Sequence, residues 1–218
     1  MASRPKQAEP RPQPRLYLVT PPVADAKAFA ERLAAAMPAG DVAAVLLRLE
    51  EADERTLINR VKELAPLVQQ RDAALLIEGH ADLVARAGAD GAHLTNIADF
   101  GDALDALRPD RIAGCGGLET RHDAMVAAEQ GADYVMFGEP DTQGGRPAFS
   151  AIEERVSWWA EVFEAPCVGF AAAPEEVALL VAAGADFVAL GDWVWQQSDA
   201  AGAIALAQQQ LHLPETAG

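Results

Sequence analysis

The sequence predicts one compact α/β domain, a (β/α)8 TIM barrel, on three observations. A short phrase occurs three times: Gly88-Ala89-Asp90-Gly91-Ala92-His93-Leu94, Gly131-Ala132-Asp133-Tyr134-Val135-Met136-Phe137-Gly138 and Gly184-Ala185-Asp186-Phe187-Val188-Ala189-Leu190-Gly191. Each copy follows an Ala-rich amphipathic stretch (Ala81 to Ala87, Arg121 to Gln130, Glu175 to Ala183), so a helix, a stop and a buried strand recur. The copies start 43 residues apart (88 to 131) and 53 apart (131 to 184). A βα unit takes roughly 20 to 30 residues, so each interval holds one further unit.

The elements follow in chain order. Gly after a helix takes the left-handed conformation without a Cβ clash, and Ala-Asp then turns the chain into an apolar run. Leu16 to Thr20 is the first strand, Val42 to Arg48 the second and Ala73 to Ile77 the third. The first copy gives the fourth, Ile112 to Gly114 the fifth and the second copy the sixth. Pro166 to Phe170 is the seventh and the third copy the eighth. Helical patterns separate them at Asp25–Met37, Asp53–Gln70, Ala81–Ala87, Asp99–Leu107, Glu119–Gln130, Ile152–Phe163, Pro174–Ala183 and Val194–Leu211. Asp53 and Glu54 supply a helix cap and an acidic first turn. Eight alternations close a barrel, with Val, Leu, Ala and Ile expected to point inward.

Composition sets limits. With 218 residues, 50% of them hydrophobic, there is chain for one barrel, over residues 15–213. Residues 1–14, carrying Pro5, Pro10, Pro12 and Pro14 with Arg4, Lys6 and Arg11, read as a disordered tail, and 214–218 as a flexible end. The tail lacks the apolar core of a secretory signal, and no stretch is long enough to span a bilayer. Two lone cysteines, Cys115 and Cys167, suit a reducing cytoplasm. The net charge of −16 argues against nucleic acid and anionic membranes as partners. The tryptophans at 158–159 and 193–195 suit helix packing or a homodimer.

Chemistry in such a barrel sits where the strands end. Leu16–Thr20 (LYLVT), Arg48 ending the second strand, the block Leu75–Leu94, the exit Ala113–Gly117 (AGCGG) and the block Gly131–Pro140 together resemble the thiamine phosphate synthase and thiazole tautomerase family, from about Leu16 to Leu206. The resemblance implies one of two activities. Synthases join a pyrimidine pyrophosphate to a thiazole phosphate with magnesium; tautomerases move a proton on the thiazole ring. The framework matches better than the functional positions. Where the family carries Arg-x-Lys on the pyrophosphate, this chain has Arg48-Leu49-Glu50. Its Asn-Asp-Arg, with a magnesium-binding Asp, is Glu78-Gly79-His80, and the second metal Asp is displaced by one position to Asp99. Gly-x-Ser becomes Gly114-Cys115-Gly116, Gly-Gly-Ile becomes Gly169-Phe170-Ala171, and Ser-Ala-Ile becomes Asp192-Trp193-Val194. Glu139 stands where the tautomerases carry a proton-transferring histidine, and Arg146 near a family Lys.

These departures share a sign. A carboxylate 4 Å from a phosphate oxygen costs about 1 to 4 kcal/mol, and Glu50 and Asp192 each add one where the family has Lys or Ser. The resemblance and these departures together imply a diverged relative, linked to thiamine metabolism, that works on a small heteroaromatic molecule by acid–base chemistry, with Glu78, Glu139 and His80 catalytic. Arg48, His93, Gly114, Gly116, Arg146, Gly169 and Trp193 would bind substrate. The two carboxylates are expected to flank the ring from opposite sides of the mouth. No metal ligand set is assigned, and magnesium belongs only to the synthase reading. A non-catalytic relative and a synthase with substituted site residues remain as alternatives, and residues 141–148 read as a loop or lid.

Overall fold

A computed structural model describes residues 12–212; most of the expected N-terminal tail and the C-terminal end lie outside the described residues. Eight parallel strands close a barrel in sequential order: β1 (Arg15–Val19), β2 (Val42–Leu47), β3 (Ala74–Glu78), β4 (Gly91–Leu94), β5 (Ile112–Cys115), β6 (Tyr134–Phe137), β7 (Cys167–Ala171) and β8 (Phe187–Leu190). The helices outside it are α1 (Ala26–Ala36), α2 (Glu54–Gln69), α3 (Val84–Ala87), α4 (Ile97–Leu107), α5 (Arg121–Glu129), α6 (Phe149–Val162), α7 (Glu176–Ala182), α8 (Trp193–Gln196) and α9 (Ala200–Gln210). The expected elements are present, with ends moved by a few residues. Two helices are corrected. The third opens as a 3-10 turn over Ala81–Leu83. The last is broken, because Gln197 is extended and Asp199 caps a new helix by accepting from the Gly202 N–H at 2.9 Å.

The thrice-repeated phrase has one structural job. Gly88, Gly131 and Gly184 have φ of 78°, 96° and 97°, the left-handed stop expected after a helix. The following Ala N–H reaches back to the last helical turn each time, to Val84, Ala127 and Leu180 carbonyls. The Asp then grips the first residues of the preceding strand. Asp90, Asp133 and Asp186 accept the backbone N–H of Leu75, Ala113 and Cys167 on a carboxylate oxygen, each at 2.8 Å. Their own N–H groups donate to the carbonyls of the same three residues. Each copy thus fixes the register of its strand on the one before.

The core has two parts. The larger packs the outer faces of the strands under the helices, around Leu18, Val45, Leu75, Phe137, Trp159 and Val188. The smaller fills the barrel interior with Tyr17, Val19, Ala44, Leu46, Leu76, Tyr134, Met136, Val168, Phe170 and Ala189. The aliphatic interior expected from sequence is therefore corrected: two tyrosines, a methionine and a phenylalanine occupy it. Tyr134 fits because β5 contributes a glycine opposite it. A Cβ on Gly114 would collide with the Tyr134 ring.

Replacing Asp186 by Ala should cost about 1–3 kcal/mol, the cost of leaving a buried strand N–H unpaired. Asp186→Asn, which keeps an acceptor oxygen, should lose less. Urea unfolding of the three proteins checks this; equal stability of native and Ala variant would refute it.

Candidate active site

Alternation decides which side chains enter the barrel. Ala92 and Leu94 of β4 pack in the outer layer, so His93 turns inward; Val135 and Phe137 of β6 do the same, so Tyr134 turns inward. The Tyr17 hydroxyl lies 2.8 Å from that of Tyr134, which lies 3.0 Å from Nδ1 of His93. The imidazole and the Tyr134 ring are stacked, 5.7 Å apart and 10° from parallel. On its other side, Nε2 of His93 is 2.9 Å from a carboxylate oxygen of Glu139. Gly138, at φ 90°, turns the chain after β6 so that the next side chain reaches back over the strand ends. The second Glu139 oxygen accepts the Gly117 N–H. A Cβ on Gly116 would collide with this carboxylate, so the glycine-rich exit of β5 makes room for Glu139.

Glu78 ends β3 as the register partner of His93. Burial raises its carboxyl above the usual range; Arg48 and His93 oppose the shift, while Glu139 and Asp192 add to it. Burial likewise pushes up the phenols of Tyr17 and Tyr134, which stay neutral at working pH. Cys115 is pushed to about 12, by burial first and then by Glu139 and Asp123, so its thiol is no nucleophile.

Two guanidiniums stand at the same end. Arg48 donates from Nε to the Thr20 carbonyl at 2.5 Å and pairs with Asp192, rather than with Glu50 or Glu51. Arg146 forms a two-pronged pair with Glu176 at 3.1 and 3.0 Å and donates to the Phe170 carbonyl at 3.2 Å. Glu176 also accepts the Ala172 N–H, so this pair ties the loop after β6 to the end of β7. Within that loop Asp141 accepts the N–H groups of Gln143 and Gly145 at 2.8 Å.

The structure brings together Glu78, Glu139, His93 and Arg48, with Gly114 and Gly116 as the space that admits Tyr134 and Glu139. His80 is not in this group. It is exposed at φ 45° on the turn after β3, and the histidine between the carboxylates is His93. The expected opposition of Glu78 and Glu139 is also corrected. In the sequential ring β7, not β6, lies across from β3, and the carboxylates share one arc with His93 between them. Gly169 faces α7, where a Cβ would meet Leu180 at 2.8 Å. The Trp193 indole N–H is held by the Ala171 carbonyl at 3.0 Å, and the ring packs on the outer core. Trp159 is buried against Phe163, and Trp158 stacks beneath Arg121. Tyr17 and Tyr134 were missed by the sequence reading, although their places in period-two strands could have marked them as inward.

The side chains at the mouth offer no ready-made, all-protein site for magnesium. Among the described residues no three His, Cys, Asp or Glu side chains gather to hold a metal ion. Asp99 is engaged as a helix-capping partner, its N–H and carboxylate both bonded to Asn96.

Because the folded Glu78 carboxyl keeps its proton to higher pH than the unfolded one, stability falls as pH rises from the unfolded value, about 4.5, through the raised folded value. Glu78→Gln should therefore gain on the native protein between pH 4 and pH 8 in thermal unfolding. A constant difference across that range would refute the desolvation.

Comparison with known proteins places this chain in a family. A family model described as "Thiamine monophosphate synthase" matches residues 16–193. Thiamine-phosphate synthase of Rhodospirillum centenum is 46% identical over 83% of this chain and 89% of its own. That of Hyphomonas neptunium is 38% identical over 94% and 96%. Among solved structures, a thiamine phosphate pyrophosphorylase from Pyrococcus furiosus superposes with a TM-score of 0.76 at 21% identity, covering 91% of this chain and 96% of that one. The 3-hexulose-6-phosphate synthase of Salmonella typhimurium superposes at 0.67 and 15% identity, over 90% of this chain and 100% of that one, a likeness of fold alone. This chain belongs to the thiamine monophosphate synthase family.

Proposed function

We propose that this chain joins a pyrimidine pyrophosphate to a thiazole phosphate at the barrel mouth, the reaction for which its relatives are named. The observation that carries this reading is the 46% identity to a thiamine-phosphate synthase over 89% of that protein. It favours a working synthase over a diverged acid–base enzyme or a non-catalytic relative. In the reaction, the bond from the pyrimidine methylene carbon to the pyrophosphate oxygen breaks and its electron pair leaves with pyrophosphate. The thiazole nitrogen then supplies the pair for the new C–N bond. Positive charge grows on the methylene, where the carboxylates of Glu78 and Glu139 supply opposing potential. The forks of Arg48 and Arg146 suit phosphate oxygens. Asp192, whose side chain is 50% exposed, is placed to yield Arg48 to an incoming anion. No step is routed through a metal.

A second reading rests on the His93–Glu139 pair. A carboxylate hydrogen-bonded to an imidazole suits proton transfer on a small heterocycle.

Incubation with both substrates and magnesium should yield thiamine phosphate and pyrophosphate. Arg48→Ala should lower kcat/KM at least about tenfold, near 1.4 kcal/mol. Absence of product with and without magnesium would overturn the synthase reading.

A further inference from the structure

Barrels of this type frequently hold a phosphate between the loops after the seventh and eighth strands, at the start of a short extra helix. This barrel has those parts in β7, β8 and α8, and they are filled. Phe170, 6% exposed, turns into the interior as the register partner of Ala189, and its ring runs on to Gly191. A Cβ on Gly191 would stand 2.9 Å from the tip of that ring, so the ring covers backbone that a phosphate would approach. Asp192 follows, with a carboxylate at the start of α8. We propose that this barrel takes a thiazole alcohol, the same ring with its side-chain hydroxyl unphosphorylated, at least as well as the thiazole phosphate, and that Phe170 and Asp192 set this preference. On the proposed synthase reading, on which this rests, the alcohol is the second substrate.

Donors near the ends of β7 and β8 are already engaged. The Ala172 N–H goes to Glu176 at 2.8 Å, and the Gly191 N–H and the Trp193 indole N–H go to the Ala171 carbonyl at 3.1 and 3.0 Å. Arg146, the cation beside Phe170, is closed by Glu176 through both carboxylate oxygens. Pyrophosphate sharpens the contrast. Asp192 engages Arg48 through one oxygen. When the pyrophosphate of the pyrimidine takes Arg48, Asp192 remains at the mouth as an unpaired carboxylate, and a second phosphate meets repulsion there. An alcohol meets an acceptor instead. Its hydroxyl donates to Asp192, and its methylenes pack on the Phe170 ring.

The chemistry does not require a phosphate on this partner. The bond that breaks joins the pyrimidine methylene to a pyrophosphate oxygen, and the bond that forms uses the lone pair of the thiazole nitrogen. The phosphate ester lies outside both, so its part is binding alone. With the alcohol the same electron pairs move, pyrophosphate leaves, and the product carries a free hydroxyl.

The test uses the full chain, magnesium and both thiazoles. Calorimetry with and without pyrophosphate reads binding, and turnover with the pyrimidine pyrophosphate reads kcat/KM. The native protein should bind and convert the alcohol no worse than the phosphate, and added pyrophosphate should move the binding ratio further toward the alcohol. Phe170→Gly combined with Asp192→Ser should shift that ratio at least about tenfold toward the phosphate. Asp192→Ser alone, at a half-exposed side chain, should shift it the same way by a smaller factor, and it keeps the test decisive if the double variant unfolds. A native protein that binds the phosphate about tenfold tighter than the alcohol, a ratio unmoved by Asp192→Ser, or binding of neither thiazole would each overturn the proposal. Equal binding with no product from either thiazole removes the synthase reading and leaves the preference. Product formed with a strong bias for the phosphate removes the preference alone.

Discussion

The grip of Asp90, Asp133 and Asp186 on the preceding strand sets what everything else in this barrel can do. Each of these aspartates bonds one residue of its neighbour through both its carboxylate and its own N–H. Parallel strands buried on both faces carry little polar alternation to fix register, and a slip of one residue exchanges the two faces. The first grip sets Asp90 beside Leu75, and three residues on it sets His93 beside Glu78. The second sets Asp133 beside Ala113, which pairs Tyr134 with Gly114, the one residue small enough to lie beneath that ring. The third sets β8 on β7 and so delivers Asp192 to the mouth. A structural device repeated three times thus orders three parts of one site.

With the register fixed, the polar chain inside the barrel becomes affordable in a plain sense: its members satisfy one another. A buried hydroxyl or imidazole without partners would cost several kcal/mol. Here Tyr134 bonds both Tyr17 and His93, and His93 bonds both Tyr134 and Glu139. The glycines of β5 and its exit are the other half of that arrangement. They look like sites for a ligand's close approach, yet the space beside Gly114 and Gly116 is already taken by Tyr134 and Glu139.

The same contrast explains what was legible in the sequence. Strand order and closure could be read because the glycine stop, the aspartate turn and the apolar run are local, and local signals repeat. The outer core could be read for the same reason, through helical and strand periodicity. The interior could not. Whether Tyr17 and Tyr134 meet depends on a separation of 117 residues and on closure bringing β1 within reach of β6. Glu139 and Glu78 were visible as carboxylates at strand ends, and both are at the mouth. His80 lies close to a strand end in sequence, but its left-handed backbone and exposure keep it out of the cluster, where His93 stands instead. Arg48 was recognised as the surviving cation, but its partner Asp192 lies 144 residues away.

Charge at the mouth gives the last constraint on the chemistry. Arg48 and Arg146 face Glu78, Glu139, Asp192 and Glu176, so carboxylates outnumber guanidiniums and each guanidinium already has a partner. The two pairs differ in how freely they open. Asp192 is half exposed, and an ion pair of that kind contributes at most about 1 kcal/mol, so an incoming phosphate competes for Arg48 against little. Arg146 and Glu176 are 17% and 15% exposed, and Glu176 also holds the Ala172 N–H, so parting them would strand a charge and a backbone donor together. Of the two ion pairs, that of Arg48 is therefore the one that opens readily, and that of Arg146 the fixed one. On the proposed synthase reading, that difference puts the phosphate of a ligand on the β2–β8 side and its ring toward the arc of Glu78, His93 and Glu139.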